Sequence, residues 1–183
     1  ITGSEHTIEC LVHRDAYRTD EETIRVLLVG GLSGNQQDVQ MALRFMHLYR
    51  KNSKQLHTCS MSLVPSANPA GTHDSGYPPE DGFFNHPTER EKRYLWRWIS
   101  YYGPDLVLDL RSSDKVLWQA NTAAIDKYET LGPVQINTDG SLLAALGEVR
   151  PDGLGEIPGL RLSAPEEQLG IQSDQLWEIL RRL

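Results

Sequence analysis

The chain has 183 residues, 39% hydrophobic and 23% charged, without a low-complexity tract, which fits one ordinary soluble globular domain over residues 1–183. A formal net charge of −7 excludes a general nucleic-acid binder, which needs a basic face against phosphates. No apolar run approaches the roughly 20 residues of a membrane-spanning helix, so neither nucleic acid nor membrane is expected as a partner.

The opening ITGSEHTIEC lacks the basic and apolar regions of a signal peptide. A chain that begins on Ile1 is expected to have been trimmed or processed, so compartment and oligomeric state stay open. Cys10 and Cys59 cannot frame a disulfide scaffold and are expected as buried thiols.

Strand-like runs occur at Thr7–His13, Arg25–Val29, Thr58–Pro65, Asp105–Leu110, Pro133–Asn137 and Leu160–Ala164. Several are continuously apolar, which suits strands covered on both faces. Between the second and third runs, Val39, Leu43, Met46 and Tyr49 mark one face of a helix from about Asp38 to Lys51. A second helix is predicted from Thr88, where Thr88 and Glu91 have capping-box spacing, to the stop at Gly103-Pro104. Its buried stripe would be Leu95, Trp98, Ile99 and Tyr102. Its basic residues Arg90, Lys92, Arg93 and Arg97 alternate with Glu89 and Glu91, the pattern of a solvated face. A third helix is predicted over Ala120–Leu131, and a last one from the cap Ser173 to Leu183. Residues 66–87 and 137–159 are rich in turn formers and read as irregular connections. Strands alternating with helices predict a three-layer α/β/α sandwich around a mostly parallel sheet.

Four local features recur in a fixed order: VLLVGGLSGNQQ (Val26–Gln37), LVPSANPAG (Leu63–Gly71), the helix EREKRYLWRWI, and PDLVLDLRSSD (Pro104–Asp114). Together they resemble the zinc metallocarboxypeptidases and their succinylglutamate desuccinylase and aspartoacylase relatives. In that family the first strand runs into Gly-Gly-x-His-Gly-Asn-Glu, the second into Asn-Pro-x-Gly, and the fourth element reads Pro-Asp-x-x-x-Asp-Leu-His-Ser. The resemblance spans residues 24–114 and implies a fold of zinc-exopeptidase, carboxypeptidase-like type. It also implies that the family's zinc ligands fall on Ser33, Gln36 and Arg111. Zinc is held by imidazole, carboxylate or thiolate, whereas these are a neutral hydroxyl, an amide and a permanent cation. No zinc and no other cofactor are therefore expected. Asn68 and Asn85 are the further binding residues that the resemblance implies. The family's general base, a glutamate after a late strand, would fall on Glu166 or Glu167.

Other constellations have plainer readings. His73, Asp74, Asp81 and His86 match no ligand spacing and read as solvated loop residues. Gly30–Gly34 lacks the Lys-Ser/Thr of a phosphate loop. Ser33 lacks both the Gly-x-Ser-x-Gly elbow and a histidine placed to activate it. The resemblance thus implies a non-catalytic, pseudoenzyme form of the carboxypeptidase-like domain that keeps a pocket for a small carboxylate or a peptide end. The alternatives are a hydrolase, carboxypeptidase or deacylase, with a relocated metal or metal-free chemistry, and a structural module of a longer protein.

Overall fold

The apolar runs become strands. The computed structural model describes residues 7–17, 23–71, 76–77, 79, 90–127, 134–136, 141–148 and 155–180. In chain order the elements are β1 (Ile24–Val29), α1 (Gln36–Asn52), β2 (Cys59–Val64), α2 (Arg90–Tyr102), β3 (Leu106–Ser112), β4 (Leu117–Ala120), α3 (Thr122–Lys127), β5 (Gln135–Ile136), α4 (Leu142–Leu146), β6 (Gly159–Ala164) and α5 (Leu169–Leu180), the last following a 3-10 turn at Glu166–Gln168. The six strands form one sheet in the order β2-β1-β3-β6-β4-β5. All neighbours are parallel except β4 and β6, which run antiparallel.

Side chains alternate across the pleat, so each strand feeds two cores. Val26, Leu28, Leu63, Leu106, Leu108 and Leu110 pack under α1 and α5. Leu27, Val29, Val64 and Val107 pack under α2 and α4. This is the expected three-layer α/β/α sandwich with a mostly parallel sheet.

The helix faces depart from expectation in phase. On α1 the buried residues are Asp38, Met41, Ala42, Phe45, Met46 and Tyr49, while Leu43 is exposed. The helix is rotated because it packs sideways as well as down: Phe45 meets Trp177 of α5 at 4.9 Å between ring centroids. On α2 the buried tryptophan is Trp96, and Trp98 lies half-buried against Tyr102. Glu91, Lys92 and Arg93 are buried rather than solvated, with Tyr77 lying over both Lys92 and Trp96. The Thr88 cap lies outside the described residues.

Three boundaries also change. Thr7–His13 forms no strand, and only Leu11 makes an isolated antiparallel bridge, to Leu63. The helix expected over Ala120–Leu131 begins at Thr122, because Leu117–Ala120 is taken into the sheet beside β6. Ser173 does not cap α5; it lies inside the helix and donates to the Gly170 carbonyl at 2.7 Å. The irregular stretch 137–159 contains the short helix α4, anchored through Asn121, whose amide donates to the carbonyls of Leu143 and Ile157.

Candidate functional site at the C-terminal edge of the sheet

Parallel strands leave their C-terminal ends to loops, and α/β sites are commonly built there. The turn after β1 is tight, with Gly31 and Gly34 at positive φ. A Cβ on Gly34 would lie 2.5 Å from Gly71 Cα, so this turn is pressed against the loop after β2. Asn68 of that loop is buried and donates to the Leu32 carbonyl at 3.1 Å. Asn35 then starts α1 as its cap, accepting from Gln37 N–H at 3.0 Å.

Two carboxylates organise this end of the sheet. Asp38, in the first turn of α1, is buried. It accepts the Ser33 hydroxyl on Oδ2 and the Ser112 backbone N–H on Oδ1, the latter at 2.6 Å. This one side chain therefore ties the turn after β1 to the end of β3, and Ser112 Oγ adds a bond to Gln37 Oε1 at 3.2 Å. Asp109 of β3 has no exposed surface at all. Arg111, two residues on and so on the same face of the strand, donates from Nε to Asp109 Oδ1 and Oδ2 at 2.9 and 3.0 Å. Arg161 of β6, paired with Asp109 in the sheet register, donates from Nε to Asp109 Oδ2 at 2.7 Å. A carboxylate buried to this degree persists only when charge-assisted partners replace its water, and two guanidinium groups do so here.

Ser33, Asn68 and Arg111 thus lie at the same end of the sheet, on the ends of adjacent strands β1, β2 and β3. Gln36 opens α1 beside them and is exposed. Glu166 is placed differently. It sits on the 3-10 turn after β6, is exposed, and pairs with Arg44 of α1 rather than with Asp38 or Arg111. Glu167, the other residue considered for that role, is exposed on the same turn. Asn85, like His73, Asp74, Asp81 and His86, lies outside the described residues.

Sequence reasoning missed Asp38, Ser112 and Arg161. A signal existed for Arg161, as the lone charge in the otherwise apolar run Gly159–Leu162, where a buried strand demands a counter-charge. Asp38 carried none, because an acidic residue in the first helical turn is already explained by the helix dipole.

The donors at the three expected ligand positions are a hydroxyl committed to Asp38, an exposed amide and a guanidinium on Asp109. This set does not fit a zinc ion. Among the described residues, no group of three or more His, Cys, Asp or Glu comes together to hold a metal.

No sequence-family model matches the chain, and no curated protein matches it by sequence. Solved structures do match by shape. A metallo-carboxypeptidase from Pseudomonas aeruginosa, in complex with (2-guanidinoethylmercapto)succinic acid, superposes with a TM-score of 0.62 at 13% identity. That alignment covers 100% of this chain and 62% of the other, so the chain spans less than two thirds of that protein. A candidate metallopeptidase from Shewanella baltica OS155 gives 0.55 at 18% identity, covering 88% of this chain and 77% of its own. Succinylglutamate desuccinylase from Vibrio parahaemolyticus gives 0.52 at 12% identity, covering 90% and 68%. At these identities the likeness is one of fold, and the chain has the carboxypeptidase-like metallopeptidase fold.

Proposed function

We propose that this chain is a non-catalytic carboxypeptidase-like domain that binds a small carboxylate or a peptide end at the C-terminal edge of its sheet. Ser33, Gln36, Asn68 and Arg111 would line the site, with Asn85 as a further candidate, and no zinc takes part. The single observation that carries the reading is the guanidinium of Arg111, fixed by buried Asp109 at the strand end where the family resemblance expects an imidazole. A cation held in a site partly shielded from water attracts carboxylates, and its planar fork matches their geometry. The same cation repels a dication. Fold likeness alone does not carry function, so the reading rests on this residue.

The test combines metal analysis with titration of N-acetylglycine, a minimal peptide end. Protein purified without chelator and then offered zinc should hold no stoichiometric metal, and Arg111→Ala should weaken N-acetylglycine binding by about tenfold or more. One equivalent of zinc lost on replacing Ser33, Gln36 or Arg111, or binding indifferent to Arg111, overturns the proposal.

A further inference from the structure

α1 and α5 lie side by side in one layer of the sandwich, joined by the Phe45–Trp177 contact and the Arg44–Glu166 ion pair. Their outer faces carry opposite charge. On α1 the exposed charges are basic: Arg44, Arg50 and Lys51, with Lys54 just beyond its end. On α5 and the 3-10 turn before it they are acidic: Glu166, Glu167, Asp174 and Glu178. We propose that this layer is an interface for a second copy of the chain, with each α1 lying on the α5 of the partner.

A face that is basic on one half and acidic on the other complements itself, and a two-fold pair uses the same patch on both copies. Two axes in the plane of the face bring it against its own copy. An axis across the helices sets α1 on α1, basic on basic, which Coulomb repulsion opposes. An axis along the helices sets α1 on α5 at both contacts. Rotation about that axis keeps every residue at its own height. Arg44 and Glu166 mark one height by pairing within the chain. Arg50 and Asp174, six and eight residues further along, lie about 9 and about 12 Å below it, so they meet across the axis.

Helix dipoles account for only part of the pattern. They favour Arg50 and Lys51 in the last turn of α1 and Glu167 ahead of α5, but not Arg44 or Asp174, each in the middle of its helix. Among the described residues, no ion pair within the chain involves Arg50, Lys51, Glu167 or Asp174. Each half also exposes one large apolar side chain. Leu43 shares a stripe with His47 and Arg50, and Ile171 shares one with Asp174 and Glu178. Such groups supply affinity, whereas the charges supply orientation. With 17 residues α1 is about 25 Å long, and two helices about 10 Å wide offer about 500 Å² per copy. About 1,000 Å² in total lies at the small end of specific interfaces, so the pair should form and separate with concentration.

Sedimentation velocity tests this on the full chain. At low salt the species should move from one copy to two between about 5 and about 500 μM, and return to one in about 0.5 M salt. Arg50→Glu with Lys51→Glu makes the charge on both sides of this contact acidic, and Glu167→Lys with Asp174→Lys makes it basic. Each double variant, folded by circular dichroism, should lose self-association at least about tenfold. An equimolar mixture of the two should regain it, because every contact is again between opposite charges. The proposal is overturned if the unaltered chain stays a single copy at about 500 μM, or if it grows beyond two copies. It is equally overturned if either double variant pairs with itself as well as the unaltered chain does, or if the mixture associates no better than its parts.

Discussion

Asp109 couples two side chains, those of Arg111 and Arg161, and such groups cannot be deleted one at a time without penalty. Asp109→Ala removes the carboxylate that Arg111 and Arg161 share, and leaves two guanidinium groups close together in a buried place. A loss of about 3–5 kcal/mol in urea unfolding is expected. Replacing Asp109, Arg111 and Arg161 together by Leu, Met and Met should restore most of it, because the desolvation cost of the charges goes with them. A triple variant as unstable as Asp109→Ala would show that the cluster is stabilising in its own right. Half of this arrangement was legible in the sequence: Asp109 and Arg111 are two apart in a strand, which commits them to one face. The lone charge of Arg161 in an apolar run signalled a counter-charge but not which one, because nothing local says that β6 lies beside β3.

Other buried groups act through pH. Burial pushes the thiols of Cys59 and of Cys10, which is half-buried rather than buried as expected, and the Tyr49 and Tyr102 hydroxyls up to about 12, from 9.0 for cysteine and 10.0 for tyrosine. A raised pKa means that the folded state holds its protons longer than the unfolded one, so their contribution is intact below about pH 9. Stability should therefore fall as pH climbs from about 9 towards about 12. Urea midpoints measured from about pH 8 to about pH 11 should decline, and a flat profile would show these groups to be solvated.

Between elements, the contact that fixes α1 is one of absence. A Cβ on Gly30 would collide with the Cβ of Ala42 and lie 2.8 Å from the Pro65 carbonyl oxygen. Gly30→Ala must therefore lift α1 from β1, a backbone-level clash that should cost about 2 kcal/mol or more. Ala42→Gly in the same chain relieves the Cβ–Cβ contact but not the carbonyl, so rescue should be partial when the two variants are compared by melting. This close approach also explains which element features could be read in advance. The strands of the central sheet were legible because each is a continuous apolar run. The rotation of α1 was not, since its docking depends on Gly30 and on Trp177, far away in sequence. Ala120 reads as a helix start when its neighbours are unknown, and only the edge of β6 draws Leu117–Ala120 into the sheet.

At the scale of the whole molecule, the four ordered motifs were enough to anticipate the carboxypeptidase-like fold, because three of them sit where a strand must turn into a loop or helix and the fourth is the helix between the second and third of those strands. The irregular stretch after β5 was opaque for the opposite reason: its described residues are tied down by Asn121 and Thr122, reaching across from just past β4. The sheet also has a rim. β2 is its outermost strand on one side, all six of its residues are buried, and the N-terminal stretch meets it at the bridge from Leu11 to Leu63 and through His13 N–H, which donates to Ser62 Oγ at 3.0 Å. An apolar strand with an open hydrogen-bonding edge is a template for another chain. Residues 7–13 cover part of that edge, so their removal is expected to act through association of copies more than through lost folding energy. Removing residues 1–13 should lower the melting temperature modestly while light scattering reports concentration-dependent association. A truncated chain that associates no more than the intact one would mean that the rim is guarded by something else.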